Sequence, residues 1–323
     1  MSPRLLLVEL TRLRWRRAVL VLLIAAVVLP AVIALARIWS TRPVSESEIQ
    51  SVIDSNAQQI SQCVDHPRRM GLPPGSTEQQ CTDQIVSWYT GREKLSLARE
   101  RTGGAGMGVV AVLTAILLVA ATTFVGHDWA SGSMSNQLLF EPRRGRIWTA
   151  KALAVTLVSL LTAAVVSTAY WLSMWMTMKV RDLPIVDGSL TDSLAYGLRG
   201  AGFAAAAALG GYALTMLFRS TVATIGVLFV VSIAGGLLIA LLGLSEHWQP
   251  QKNVAAIVKN GTTYYVDVPQ SCYSRPRSSE PEPDSECDER RDLSAWGGVG
   301  YYGVALVVVM GASVVSFRRR DVP

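Results

Sequence analysis

The residues of this chain best suited to act on a partner lie between Gly126 and Lys151, in the stretch GHDWASGSMSNQLLFEPRRGRIWTAK. An acid, Asp128, and small residues around Gly132 lead into an apolar trio, Leu138, Leu139 and Phe140. Pro142 follows, then Arg143, Arg144 and Arg146, and finally Lys151. The chemistry this pattern suits is recognition. Large apolar side chains can fill a groove on another protein while flanking cations orient them. A plain connector needs no such knob. The competing reading lays the trio on a lipid interface. Asp128 is expected either to pair with an arginine of the same stretch or to cap a short helix.

Covalent and metal chemistry have little to work with. No Gly-x-x-x-x-Gly-Lys-Ser/Thr surrounds any of the five lysines, and neither His-Glu-x-x-His nor Gly-x-Ser-x-Gly occurs. The three histidines, His66, His127 and His247, fall near span ends or in loops, where a solvated role is expected. No catalytic, cofactor or metal residue is therefore expected. The four cysteines, Cys63, Cys81, Cys272 and Cys287, sit in two polar stretches and in no apolar one. On an oxidising face they can pair, one bridge in each stretch being the choice by proximity among three connectivities. A zinc site competes weakly, because only His66 is near and the spacing is wrong.

The elements that must position these residues are membrane helices. Half of the 323 residues are hydrophobic, and mean hydropathy is positive. Apolar stretches reach the roughly 20 residues a hydrocarbon core requires. The expected fold is an all-α integral membrane protein with six transmembrane helices, at 18–39, 103–125, 149–178, 194–218, 221–244 and 296–317. The two long polar loops are 40–102 and 245–295, and a short connector holds 179–193. The docking stretch occupies 126–148, a tight turn 219–220, and the tail 318–323. The third apolar segment is longer than one crossing and must tilt or project. Residues 1–17 carry five arginines, with Leu6, Leu10 and Leu13 on one side of a helix and Glu9, Arg12 and Arg16 on another. They read as an interfacial helix or as a positive anchor.

Charge sets the expected orientation. With both termini cytoplasmic, the inner segments hold 13 basic residues against 4 acids, a net +9, and the remainder is −3. The net charge of +6 thus follows topology, and no nucleic-acid partner is implied. Both cysteine-bearing loops then lie outside. Arginine outnumbers lysine 25 to 5, which suits a GC-rich bacterial genome. With those span limits no Asp or Glu lies inside a span. This argues against an ion-coupled carrier, which usually holds its ion with carboxylates at membrane depth. Arg37 and Lys151 fall within three residues of span ends, and Arg199 is the one charge set deeper in a span; it either lines a path or snorkels to the outer headgroups. Small residues from Ala204 to Gly211, and the Gly104/Gly108 pair, are expected to allow close helix packing.

Together these pieces resemble the permease subunit of an ABC transporter of the ABC-2, exporter-like type. The likeness rests on ELTRLRWRR (9–17) before the first span and on the FRST turn (218–221). It rests also on the six-span order and, most specifically, on the run Asp128, Gly132-Ser133, Leu138-Leu139, Pro142, Arg143 to Arg146, Ala150-Lys151. The resemblance implies a separate ABC ATPase subunit that binds ATP, a second permease copy or paralogue, surrounding membrane lipid, and a bacterial plasma-membrane location. It implies that Asp128, Gly132, Leu138, Leu139, Phe140, Pro142, Arg143, Arg144 and Arg146 couple to the ATPase. The length of 40–102 departs from the pattern. A membrane sensor that binds a ligand through its outer loops is the alternative reading.

Overall fold

A computed structural model describes residues 3–92, 94–269 and 287–319. Among these residues, six helices are long and apolar enough to cross a membrane. They are α2 (Arg17–Ser40), α7 (Ala105–Ala130), α9 (Arg144–Val180), α10 (Ser189–Phe218), α11 (Thr221–Leu241) and α13 (Ala295–Arg319). Preceding them is α1 (Pro3–Trp15). Four short helices fill the first long loop: α3 (Glu46–Ser55), α4 (Ala57–Asp65), α5 (Glu78–Thr90) and α6 (Leu97–Thr102). The stretch between α7 and α9 holds α8 (Ser133–Phe140). The second long loop holds α12 (Pro250–Lys259) and, against the all-helical expectation, one antiparallel ribbon of β1 (Thr262–Tyr265) and β2 (Arg290–Leu293). A four-residue pairing of that kind adds only a hairpin to a helical protein.

The bundle is built around α10, which packs against α7, α9, α13 and α12. Lipid tails are as apolar as leucine, so close packing and buried polar contacts must hold such helices together. The small face of α10 supplies the closeness. A Cβ on Gly197 would stand 2.5 Å from Ser167 Oγ, and one on Gly200 2.5 Å from Val110 Cγ2. Gly104 and Gly108 do not form the packing pair their spacing suggests. Gly104 precedes α7 and lies against Glu100, while Gly108 meets nothing within 4 Å. By contrast α11 is almost unburied, with Val222, Phe229, Val230 and Leu241 exposed.

Two helix boundaries move functional residues. α7 runs on to Ala130, which takes Asp128 into the helix. α9 starts at Arg144, five residues before 149, and its 37 residues extend about 55 Å. Its first turns carry residues that the sequence assigns to a loop and pack them into the bundle, with Ile147 and Trp148 buried.

The first long loop folds as a subdomain with its own core. Ile60, Cys63, Cys81 and Ile85 are buried together, with Ile53, Met70 and Leu72 against them. Cys63 and Cys81 form a disulfide, as expected. Cys272 lies outside the described residues, and the Cys272–Cys287 pairing with it. Ser45 and Thr77 begin α3 and α5 as capping boxes, which satisfy the first free N–H groups. Hydrogen bonds from Arg92 and from the Ser45 N–H hold the Glu48 carboxyl well below the usual carboxylate range. The disulfide closes a sequence separation of 18 residues, worth roughly 3 kcal/mol on loop-closure entropy. Cys63→Ser with Cys81→Ser is expected to raise proteolysis and amide exchange within 57–90 and to leave the bundle helices protected. Unchanged exchange in that segment would show that its small core suffices alone.

Candidate functional site

The end of the bundle that carries α1 also carries α8, the start of α9 and the last residues of α13. Sequence alone suggests that α1 lies on the membrane interface or serves as a positive anchor. The structure turns a face of Glu9, Arg12, Leu13 and Arg16 toward the bundle. Glu9 and Leu13 are buried and Arg12 and Arg16 half-buried, while Leu7, Val8 and Trp15 are exposed. Positions 9, 12, 13 and 16 share one helical face, so a single stripe meets the bundle.

That stripe closes a buried charge cluster. Lys151, 0% exposed, donates from Nζ to Glu9 Oε2 at 2.8 Å and to Asp128 Oδ2. Asp128, also 0% exposed, accepts from Arg12 Nη2 at 3.1 Å and from Arg16 Nη2. Arg12 also reaches Glu9 Oε1, at 3.3 Å, and Ser133 Oγ. Gln137 Nε2 donates to Glu9 Oε1 at 2.8 Å, and Arg16 Nη1 to the Phe124 carbonyl at 3.1 Å. The Phe124 ring lies within 5.3 Å of both Arg16 and Lys151, a cation–π contact for each. Three cations thus meet two carboxylates, with both acids and Lys151 buried and the arginines half-buried. Bringing charges into such a place is costly unless each is paired, and here every charge is paired, all but Arg16 with two or more opposite charges. The cluster ties α1, α7, α8 and α9 into one unit.

This corrects the reading of Asp128. It neither caps α8, whose N-cap is Gly132, nor pairs with Arg143, Arg144 or Arg146. It is 0% exposed, and its contacts hold Arg12, Arg16 and Lys151 together. It also lies within the second crossing helix, which the sequence reading left free of acids.

α8 itself is set by two features. Gly132 takes a left-handed conformation, φ 67°, which turns the chain sharply after α7. Met134 then anchors the helix in the core, and Leu138 packs beside it. Leu139 and Phe140 point the other way, 80% and 92% exposed. Pro142 and Arg143 are exposed after them. The apolar trio is therefore split: one residue holds the helix and two are offered outward. The arginines also differ. Arg144 donates to the carbonyls of Phe317 and Arg318 and so caps the end of α13. Arg146 lies 3.6 Å from Glu141 and is half-exposed. The presented surface comes down to Leu139, Phe140, Pro142 and Arg143, with Arg146 at its edge.

At the opposite end a third acid is buried. Glu100 accepts from Arg37 Nε at 2.9 Å, from the Ala105 N–H at 2.9 Å and from Tyr170 Oη at 3.4 Å. It locks α2, α7 and α9 together. Neither Glu100 nor Glu9 was singled out from sequence, because both sit among arginines in stretches that read as polar surface.

Compared with known protein families, residues 7–322 match the one described as ABC-2 family transporter protein. No curated protein and no solved structure matches the chain.

Proposed function

The chain belongs to the ABC-2 family of transporter proteins, a multi-pass membrane protein, and from that premise we propose that it is the permease of an ATP-driven exporter. A separate ABC ATPase subunit supplies the hydrolysis, and a second permease subunit completes the transporter. The face that carries α1 and α8 is cytoplasmic; the Cys63–Cys81 subdomain lies outside. The observation that carries this reading is α8. Its Leu139 and Phe140 stand in the open beside Arg143, on a helix whose other side is fixed by Met134 and by the charge cluster. An apolar pair held this rigidly costs little further order on docking. Movement of a docked ATPase would pass through α8 to Glu9, Asp128 and Lys151, and so to α1, α7 and α9 together. A merely lipid-resting loop needs no such fixation.

The test is reconstitution with a candidate ATPase encoded by a neighbouring gene. The two should co-purify, and the permease should raise ATP hydrolysis. Orientation has its own check. Labelling of single cysteines placed at residues 145 and 75 is expected to find the first protected from an impermeant reagent in intact cells and the second accessible. The reverse pattern would put α8 on the wrong side for any ATPase.

A further inference from the structure

Six buried side-chain polar atoms lack a hydrogen-bond partner among the described residues, and four of them gather at the end of the bundle opposite α8. They are Arg101 Nε on α6 and Ser189 Oγ, Tyr196 Oη and Arg199 Nε on α10. All four can donate a hydrogen bond. Ser189, Asp192, Tyr196 and Arg199 recur at helical spacing and so share one face of α10. Arg101 joins that face through Asp192, at 3.0 Å. Arg199 lies within electrostatic reach of Arg101, Asp192 and Tyr196. Lys259 of α12 adds a third cation, donating to the carbonyl of Thr102, the residue after Arg101.

Buried donors without acceptors cost free energy, so their concentration at one place calls for an acceptor-rich group. Tyr196 is 1% exposed and fixed edge-on against Trp171, so its hydroxyl cannot turn out to water. Asp192 pairs with Arg101, and its side chain is 63% exposed. It leaves the cations in excess. The arginine forks match the oxygens of a phosphate. Beside Arg199 the helix surface is apolar and open at Leu198.

We propose that Arg101, Ser189, Tyr196 and Arg199 form a binding site for a phosphate group carried on an amphiphile, held between α6 and the first three turns of α10. The site does not depend on docking to an ATPase and is testable on the permease alone. Purified protein in neutral detergent is titrated with dioctanoyl phosphatidic acid, with dioctanoylglycerol and with inorganic phosphate, and the melting temperature is followed. Phosphatidic acid is expected to raise it saturably and dioctanoylglycerol not at all. Arg199→Gln and Arg101→Gln should each raise the half-saturating concentration about tenfold or more, the scale of a lost charge-assisted hydrogen bond. Tyr196→Phe, which removes one oxygen and keeps the ring packing, should raise it several-fold. Saturation by inorganic phosphate at similar concentrations would show that the headgroup alone is recognised; saturation by phosphatidic acid alone would show that the chains contribute. An equal response to phosphatidic acid in wild type, Arg199→Gln and Tyr196→Phe would overturn the site. So would an equal response to dioctanoylglycerol.

Discussion

Replacing Leu139 and Phe140 together by alanine is expected to separate the permease from its ATPase while leaving the permease folded. Both side chains are almost fully exposed, so their loss removes little internal packing. Apolar anchors that fill a partner's groove commonly cost about 2–4 kcal/mol when truncated, or roughly 30- to 1,000-fold in affinity. Leu138→Ala should behave in the opposite sense. Leu138 packs on the core beside Met134, so its truncation loosens α8 itself and lowers thermal stability. Arg143→Glu should slow association and make it more sensitive to salt, as charges at an interface rim do. Arg144→Glu should instead free the end of α13, since Arg144 serves the carbonyls of Phe317 and Arg318. The four variants distinguish docking from mere helix stability. Full co-purification and full ATP hydrolysis by a well-folded Leu139→Ala/Phe140→Ala protein would reduce the stretch to a connector.

The second large effect concerns the buried cluster and follows from its charge count. Glu9 and Asp128 face Arg12, Arg16 and Lys151. Asp128→Asn keeps the shape but leaves one carboxylate among three cations. Losing one member of a buried pair typically costs about 3–5 kcal/mol. Lys151→Met leaves two carboxylates and two arginines, and each acid keeps a cation: Glu9 keeps Arg12, and Asp128 keeps both arginines. It should be the milder change, and Lys151→Met should partly rescue Asp128→Asn. Melting temperatures in detergent decide this. Equal damage from the two single variants would show that geometry, and not charge balance, governs the cluster. Because Asp128 is 0% exposed, a well-folded Asp128 variant should bind the ATPase through Leu139 and Phe140 yet transmit its closure poorly.

Hydropathy made the six crossings legible, because length and apolar content decide whether a helix can span a bilayer. The Gly126–Lys151 stretch was legible as a unit, because an apolar trio beside arginines stands out from a linker. What each residue of that trio does was not. Leu138 and Leu139 are neighbours in sequence but stand about 100° apart on α8, and only the seating of Met134 decides which faces inward. The inward stripe of α1 was hidden for a related reason. Leu6, Leu10 and Leu13 suit a face laid on the membrane interface, yet buried Asp128 and Lys151 require ionic partners, and Glu9, Arg12 and Arg16 supply them. A pairing across more than 100 residues leaves no local mark. Glu100 was missed likewise, since its burial depends on Arg37, Tyr170 and the Ala105 N–H, which are far apart or backbone. The Cys63–Cys81 bridge, a short-range pairing, was within reach of proximity alone.

The central claim is that α8 seats in the ATPase, and a photo-crosslinking side chain at position 140 tests it most directly. Phe140 is the most exposed residue of the apolar trio, so benzoyl-phenylalanine placed there should fit without disturbing the fold. Irradiation of the assembled transporter is predicted to give one strong adduct with the ATPase subunit, weakened by Leu139→Ala and absent when the same group replaces Leu35, an exposed residue within α2. Adducts with lipid alone at position 140, from a complex that still hydrolyses ATP in a permease-dependent way, would contradict it.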